Sequence, residues 1–475
     1  MLAASFITLL IIILLIGLSA GYFSRKTVSD YLTASQSISV WQTILSTLAS
    51  AYSGFMYIGL IGYTYSKGVS GLWLMAAWMV GEFFIIRYIP EKISTATHDK
   101  NLLNYNSLLS NYWGNDKVII KKVAAIITLV FLSIYAAAQF DAAGKAMNIL
   151  LGWDLLIGIF VTYIMVLLYS FAGGIRASIW TDSIQFIIML FSIALLVILG
   201  IDAIGGWGAF VDKLYQNPSA YTELFPQSMG NNFFIALFLF GWIAGGLGIS
   251  GQPHVAVRFM AMKKTTQYKK ILYGYYSLAI IFTSLCILSA LIAKVYFADN
   301  LPAGFDNETI LPTLAEAILP SALVGLMLAA IISSIISTAD SQVLSCSSAL
   351  GTDLLPQKSN DKARLMQNKL ATIAVASFAL ITAIYAEKSV FVLTLVAWSG
   401  LASAFTPLLI LQFMGYKISQ SLGLVMMLSG LTAAVVWRFL GLNSIAYDAF
   451  VGILLGFCVF YLAQLFIKTE KQSAI

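Results

Sequence analysis

Apolar segments of membrane-spanning length recur along the whole chain, and they limit the folds open to it. A helix that crosses a bilayer needs roughly 20 mainly apolar residues. Segments of that kind predict thirteen transmembrane helices, over residues 3–22, 39–64, 71–88, 122–147, 153–172, 178–199, 232–253, 271–293, 319–346, 369–386, 389–413, 419–438 and 446–467. Only 10% of the 475 residues are charged, whereas a soluble domain has about 25%. The sequence therefore predicts an all-α polytopic membrane protein with one integral domain.

The distribution of basic residues predicts how the chain lies in the membrane. Most of the 27 Lys and Arg residues fall in alternate loops, Arg258 among them, and cytoplasmic loops carry such an excess. Arg25 and Lys26 follow the first apolar segment, which is typical of a retained helix rather than a signal peptide. We therefore expect a multi-pass protein of the cell (inner) membrane, with its N-terminus outside and its C-terminus cytoplasmic. Topology and membrane lipid account for the net charge of +6, so no nucleic-acid partner is implied.

Two of the predicted transmembrane segments contain interior interruptions. The second holds small and polar residues in 48-LASAYSGFMYIG-59, and the seventh holds five glycines before a proline in 241-GWIAGGLGISGQPH-254. At membrane depth an irregular backbone survives only where it is buried in protein or lines a cavity. Broken helices at corresponding places in two inverted repeats are typical of transporters. Counted from the second segment, the interruptions fall in helices one and six of a ten-helix core, as two five-helix repeats require.

The ninth predicted helix is unusually polar in 331-IISSIISTADSQVLSCSS-348. Hydroxyl residues recur there at the spacing of one helical face, namely Ser334, Ser337, Thr338, Ser341, Ser345 and Ser348. Hydroxyl and carbonyl oxygens are hard donors suited to a small alkali cation, although small hydroxyl residues also let helices pack closely. Asp340 favours a functional site, because a carboxylate inside the membrane is costly.

Other ionisable residues also lie within or beside the predicted spans. Asp141 and Lys145, four residues apart, are interpreted as an ion pair that neutralises itself. Asp182 and Asp340 have no basic residue nearby in the sequence, so a bound cation or a proton is expected to satisfy them. His254 is interpreted as a structural hydrogen-bonding residue in a cytoplasmic-side turn.

Three segments resemble the sodium/solute symporter family, most closely its sodium/proline symporters: 251-GQPHVAVRFMAMK-263, 337-STADSQVLSCSSALGTDLL-355 and 171-FAGGIRASIWTDSIQ-185. The resemblance covers nearly the whole chain and implies the inverted-repeat fold of the leucine transporter. It implies an extra helix at 3–22, repeats over 39–199 and 232–413, and two C-terminal helices over 419–467.

The resemblance also implies sodium as the coupling ion and a set of site residues. The sodium site would use backbone carbonyls of Ala49, Tyr52 and Ser334 with the hydroxyls of Ser337 and Thr338. A second cation or proton site would use Asp182, Asp340 and Ser341. The substrate would settle beside Ser53, Gly54, Phe55, Tyr135 and Trp242.

Departures from the sodium/proline pattern leave the solute open. Ala51 stands where sodium/proline symporters carry an aspartate important for sodium coupling. Phe55 replaces a tryptophan, and Gly245 and Ile249 replace a Trp and a Tyr, whose volume Trp242 would partly fill. We therefore expect a sodium-coupled symporter of proline or another amino acid. The alternative is proton coupling or a different small solute, such as another carboxylate.

Other functional classes fit the sequence less well. A channel predicts a repeated pore-lining signature or rings of charge, and a sensor predicts a soluble output domain. A membrane enzyme predicts a catalytic constellation or a set of metal ligands. None of these features is visible in the sequence, so we expect a transporter without enzymatic activity.

Overall fold

Helices make up almost all of the protein in the computed structural model, which describes residues 1–114, 116–226, 229–298, 300–385, 389–466 and 470–471. The α-helices are α1 (Leu2–Tyr22), α2 (Val28–Thr33), α3 (Val40–Ala51), α4 (Ile61–Lys67), α5 (Leu72–Lys100), α6 (Tyr105–Asn111), α7 (Val118–Leu151), α8 (Leu155–Ile204), α9 (Trp207–Tyr215), α10 (Ser219–Thr222), α11 (Asn232–Leu247), α12 (Pro253–Ala261), α13 (Tyr268–Phe297), α14 (Ile310–Ile318), α15 (Ser321–Ser348), α16 (Asp361–Tyr385), α17 (Val390–Phe413), α18 (Gln420–Phe439) and α19 (Asp448–Gln464). Shorter 3₁₀ or π-helical segments cover Ala34–Gln36, Phe55–Leu60, Gly68–Gly71, Gly248–Gly251, Asn307–Thr309, Ala349–Leu354 and Leu442–Ser444.

The predicted membrane-spanning architecture is confirmed in its main features. Within the described ranges, ten helical stretches are long and apolar enough to cross a membrane, and α19 is a shorter apolar helix. Two of the ten, Phe55–Lys100 and Leu155–Ile204, each hold parts of two predicted spans. The count of thirteen crossings remains a prediction, and the last residues of two predicted spans, 386 and 467, lie outside the described residues.

The first predicted interruption lies between α3 and α4. Ser39 caps the start of α3, where its hydroxyl accepts a hydrogen bond from the Gln42 amide. The Gln42 side chain in turn accepts one from the Ser39 amide, which completes a capping box. Regular α-helix stops at Ala51, and Tyr52 has φ −97° and ψ 68°. The chain resumes as the π-helical segment Phe55–Leu60 and continues into α4. The second predicted span is therefore two half-helices joined by an irregular turn.

The second interruption lies between α11 and α12. A 3₁₀ turn over Gly248–Gly251 follows α11, and Gln252 is extended with φ −98° and ψ 103°. Pro253 is the first residue of α12, where its missing N–H costs nothing and its fixed φ suits a helix start. The glycines of the turn pack closely on α17, since a methyl group on Gly251 would lie 3.0 Å from the Ala402 Cα.

The polar helix predicted from the sequence, α15, lies inside the protein rather than against lipid. It packs against α8, α7, α1, α16, α3 and α12. Its residues from Met327 to Val343 are all buried. Its hydroxyl face therefore points at other helices, and α3 with its interruption is among them.

The backbones of α5 and α11 approach closely through a pair of glycines. A methyl group on Gly246 would overlap the carbonyl oxygen of Trp78, and one on Gly81 would overlap that of Ile243. Close backbone approach through small residues is a common basis of helix packing in membranes. This contact holds the second interrupted helix in place.

Replacing Gly246 with alanine tests that contact. Because the methyl group would displace backbone rather than a flexible side chain, we expect Gly246→Ala to lower the free energy of unfolding by about 1–3 kcal/mol. The control is Gly208→Ala, because Gly208 lies in α9 with nothing within 4 Å of its added Cβ. Denaturant unfolding followed by tryptophan fluorescence measures both. Equal stabilities of the two variants would contradict the proposed close approach.

Candidate functional site

Oxygen atoms from α3 and α15 meet at the first interruption. The Ser337 hydroxyl lies 3.0 Å from the Ala49 carbonyl oxygen and 3.1 Å from that of Ser334. The Thr338 hydroxyl lies 3.2 Å from the carbonyl oxygens of both Ser50 and Ser334 and 3.4 Å from that of Ala49. Four of the five predicted sodium ligands, Ala49, Ser334, Ser337 and Thr338, are therefore brought together.

The end of α3 explains why these carbonyls are free to bind. The last carbonyls of a helix have no partner within the helix. The Tyr52 amide still bonds to the Leu48 carbonyl at 2.8 Å, but beyond Tyr52 the chain leaves the helix. The carbonyls of Ala49 and Ser50 accept instead from the hydroxyls of α15. Tyr52, the fifth predicted ligand, lies at the break itself, directly after the last residue of α3.

The chemistry of this cluster fits a small alkali cation. All of its atoms are carbonyl or hydroxyl oxygens, which are hard donors. A hydroxyl group can rotate its proton away and offer a lone pair. The cluster carries no formal charge, so a monovalent cation would be held by dipoles at the break.

A second cluster lies one turn further along α15 and centres on a buried ion pair. Arg258 of α12 contacts Asp182 of α8 through Nη2 and Oδ2 at 2.9 Å, and both side chains are fully buried. The same Nη2 lies 2.8 Å from the Ser178 hydroxyl and also contacts the Ser341 hydroxyl. This pair joins α8, α12 and α15.

The two predicted carboxylates share one hydroxyl donor in this cluster, because Ser178 donates to Asp182 at 3.5 Å and also to Asp340. Asp182 accepts from the hydroxyl of Ser46 at 2.7 Å. Asp340 accepts from Ser178 at 3.1 Å and from Ser341 at 2.8 Å. The Ser341 hydroxyl also lies 2.5 Å from the carbonyl oxygen of Ser337, a predicted sodium ligand. The structure thus brings Asp182, Asp340 and Ser341 together, next to the first oxygen cluster.

Two interpretations of the GQPH segment were wrong. Arg258 was assigned to a cytoplasmic loop, but it lies on α12 and is fully buried against Asp182. His254 was interpreted as a hydrogen-bonding residue in a turn, but it is fully buried on the same helix, and neither of its ring nitrogens has a hydrogen-bond partner among the described residues. The reason is that α12 is a nine-residue helix in which every residue is buried. The cation that compensates Asp182 is therefore part of the chain, 76 residues away in sequence.

Arg258 changes the charge balance of the predicted second site. One positive charge faces two carboxylates, so one negative charge is left over when both carboxylates are ionised. A buried uncompensated charge is strongly unfavourable. One monovalent cation or one proton would balance this cluster.

Four of the five predicted substrate residues surround the first interruption. The hydroxyls of Ser53 and Tyr135 lie 3.1 Å apart. The amide of Phe55 donates to the Ser53 hydroxyl, and that of Gly54 donates to Gln139 Oε1, each at 3.0 Å. Trp242, the fifth, stacks on Tyr447 with ring centroids 4.8 Å apart and lies 6.3 Å from Trp78.

The same region contains polar residues to which the sequence analysis assigned no binding role. The His254 ring lies edge-on to Tyr135 at 5.7 Å and to Trp398 at 6.4 Å. Neither of its ring nitrogens has a hydrogen-bond partner within the described part of the chain. The same holds for Gln139 Nε2 and for Gln252 Oε1. These buried, unsatisfied atoms are suited to a polar ligand. Gln252 and His254 belong to the GQPH motif, which was the sequence feature that could have indicated them.

Aromatic rings and an ion pair cover one side of this region. Phe391 stacks on Phe55 at 5.4 Å and on Tyr63 at 5.2 Å. The Phe391 amide donates to Glu308 at 2.9 Å, and the Lys145 ammonium group lies 2.6 Å from the same carboxylate. The predicted Asp141–Lys145 pair is present at 3.7 Å. Lys145 therefore does more than neutralise Asp141, because through Glu308 it also links α7 to the start of α17.

The fold and the two oxygen clusters define the protein as a polytopic membrane transporter built around interrupted helices. A family model described as the sodium:solute symporter family matches residues 31–430. The chain therefore belongs to the sodium:solute symporter family.

Curated relatives match almost end to end. The chain is 28% identical to the high-affinity proline transporter of Bacillus subtilis (strain 168), over 95% of each chain. It is 26% identical to the sodium/proline symporter of Escherichia coli (strain K12), over 93% of this chain and 88% of the relative. It is 27% identical to the sodium/proline symporter of Staphylococcus aureus (strain JH9), over 90% and 84%.

Solved structures confirm the predicted leucine-transporter-like fold. A Na⁺-coupled sialic acid symporter in a substrate-bound outward-open state superposes with a TM-score of 0.84 at 19% identity, covering 99% of both chains. MhsT in complex with L-phenylalanine superposes with a TM-score of 0.59 at 15% identity, covering 89% of this chain and 99% of that one.

The charge balance of the Arg258 cluster can be tested by substitution. Arg258→Gln leaves two carboxylates without their buried cation, so we expect the free energy of unfolding to fall by about 3–5 kcal/mol. Adding Asp182→Asn restores the wild-type net charge, and the double variant should be more stable than Arg258→Gln alone. Denaturant unfolding at fixed sodium concentration measures both effects. An Arg258→Gln variant as stable as wild type would show that the pair contributes no buried charge compensation.

Proposed function

We propose that this chain is a sodium-coupled secondary active symporter that imports a small amino acid, with proline the leading candidate, by alternating access. The observation that carries the proposal is the meeting of the α3 carbonyls with the hydroxyls of Ser337 and Thr338. Sodium bound there would hold α3 against α15. The named relatives are transporters, and the proposal assigns no catalytic step to the chain.

The proposed solute site lies where the first interrupted helix resumes. The N–H groups of Gly54 and Phe55 point to side-chain oxygens of Gln139 and Ser53. A solute carboxylate could take the place of those oxygens, because a helix N-terminus stabilises negative charge. Tyr135 would contact the same solute, whereas Trp242 would act through the aromatic rings of Trp78 and Trp398.

Proline is supported by the relatives, which are named as proline transporters or sodium/proline symporters. The N–H groups at the helix start favour any small carboxylate-bearing solute. Ala51, Gly245 and Ile249 differ from the sodium/proline pattern, so a different amino acid or carboxylate is the alternative solute.

Coupling would follow from the position of the sodium ligands. The carbonyls belong to the half-helix α3 and the hydroxyls belong to α15. An ion bound between them would therefore favour one position of α3 relative to α15. Sodium moving inward releases roughly 2.3 kcal/mol per charge for each 100 mV of membrane potential. The contacts of Phe391 with Phe55 and Tyr63 close the side that we assign to the outside.

A second monovalent cation would balance the cluster of Arg258, Asp182 and Asp340. The single uncompensated charge favours one sodium ion or one proton there. Proton coupling is therefore the second candidate for the driving ion. The Ser341 hydroxyl of this cluster lies 2.5 Å from the carbonyl oxygen of Ser337, a residue of the proposed sodium site. Binding at the two places would therefore be linked.

We further propose that the two inverted repeats span 39–199 and 232–413, flanked by 3–22 and 419–467, in the cell (inner) membrane. The excess of basic residues in alternate loops supports an outside N-terminus and a cytoplasmic C-terminus.

Reporter fusions test this orientation. A reporter that is active only in the cytoplasm is expected to be active when fused to the C-terminus and inactive when fused to the N-terminus. The reverse pattern would contradict the proposed orientation.

Uptake of labelled proline into proteoliposomes tests the proposed function. An inward sodium gradient should drive accumulation that a potassium gradient does not. Ser337→Ala removes a ligand hydroxyl, so we expect the sodium concentration for half-maximal uptake to rise about tenfold, the equivalent of ~1.4 kcal/mol.

Ser333→Ala is the matched control. Ser333 lies on the same helix, is fully buried, and has no hydrogen-bond partner in the described residues. Its loss should leave the sodium dependence close to wild type. Equal effects of the two substitutions would argue against the proposed site, and accumulation driven equally by potassium would argue against sodium coupling.

A further inference from the structure

A buried carboxyl group outside both oxygen clusters has no assigned role. Glu82 lies within α5 and is fully buried. None of the ion pairs among the described residues includes it. A carboxyl group inside a membrane protein is costly and by default marks a functional site. Close packing of the same helix on other parts of the protein does not require a carboxyl group at this position.

The hydrogen bonds of Glu82 come from two tyrosines on different helices. The Tyr275 hydroxyl of α13 donates to Oε1 at 2.5 Å. The Tyr52 hydroxyl donates to Oε2 at 3.4 Å. Tyr52 is the first residue after the end of α3. Glu82 is therefore linked through one side chain to the turn that exposes the proposed sodium-binding carbonyls.

The surroundings of Glu82 hold it rigidly enough to act as an anchor. A methyl group on Gly246 of α11 would lie 2.8 Å from the Glu82 amide nitrogen, which shows how closely the two backbones pack. The Tyr52 ring stacks on Phe282 of α13 with centroids 5.9 Å apart. The tyrosine at the break is thus held by its ring on α13 and by its hydroxyl on α5.

We propose that Glu82 is a positioning residue for sodium binding: its carboxyl group holds the Tyr52 side chain and so fixes the end of α3 where the carbonyls face α15. The inference rests on the proposed sodium site. Its role is that of a hydrogen-bond acceptor on a fixed helix, and it does not contact the ion. Loss of the acceptor would let the turn move and weaken sodium binding, while the solute contacts of Tyr135 on α7 would remain.

The test compares two substitutions of Glu82 in proteoliposome uptake. Glu82→Ala removes the acceptor, so we expect the half-maximal sodium concentration to rise about tenfold. The solute KM at saturating sodium should stay close to wild type. Glu82→Gln keeps one acceptor oxygen, and its NH2 group can donate to the hydroxyl oxygen of the other tyrosine, so the links to both Tyr52 and Tyr275 can persist and most of the sodium affinity should be recovered. A glutamine variant as impaired as the alanine variant would overturn the proposal.

A double-substitution cycle shows whether Glu82 acts through Tyr52. Tyr52→Phe keeps the backbone carbonyl and the ring but removes the hydroxyl, so it should also weaken sodium binding. If the two residues act as one unit, Glu82→Ala combined with Tyr52→Phe should be no worse than Glu82→Ala alone. Additive losses would overturn the proposal.

Tyr276→Phe is the matched control for general packing. The Tyr276 hydroxyl also bridges α13 to α5, since it donates to the Met79 carbonyl at 2.7 Å, but it does not bond to the Glu82 carboxyl group. Its loss should leave sodium affinity unchanged, and an effect equal to that of Glu82→Ala would contradict the proposal. A wild-type protein without any sodium dependence would instead refute the proposed function itself.

Discussion

A helix that stops inside a membrane releases carbonyl groups that no water can reach, and the site of this protein is built on that constraint. Where α3 ends at Ala51, the carbonyls of Ala49 and Ser50 must find partners within the protein. The hydroxyls of Ser337 and Thr338 supply them. This requirement explains why α15 is so polar, why it is buried among other helices, and why its hydroxyls share one face. The same oxygens can hold a small cation without any formal charge on the protein.

A separate cluster next to these oxygens carries formal charges, and its charge balance is incomplete. Arg258 compensates Asp182 directly, while Asp340 is held by hydroxyls. The cluster joins α3, α8, α12 and α15, so it connects both interrupted helices to the scaffold. A monovalent cation or proton in this cluster would therefore affect both halves of the protein. Ser341, which contacts Arg258, Asp340 and the Ser337 carbonyl, links the two clusters most directly.

The local features of the site were predictable from the sequence, because they depend on spacing along one helix or on residues within one turn. The hydroxyl face of α15 and both interruptions have that character. Arg258 and Glu308 could not be placed in the same way. Arg258 meets Asp182 across 76 residues, and Lys145 meets Glu308 across 163. The segment around Arg258 looked like a loop because it is short and follows glycines and a proline, whereas in the protein it is the second half of an interrupted helix. The family resemblance supplied the positions of the proposed sodium ligands, and the geometry of the α3 end supplies a physical reason for them.

Equilibrium binding of radioactive sodium to the purified protein tests the central claim most directly. The claim is that the end of α3 and the hydroxyl face of α15 form a sodium site. It predicts saturable sodium binding that an equal concentration of potassium does not displace. That binding should be weakened when the hydroxyls of Ser337 and Thr338 are removed together in a protein that remains folded. Sodium binding that is absent in the wild type, or unchanged after both hydroxyls are lost, would contradict the account.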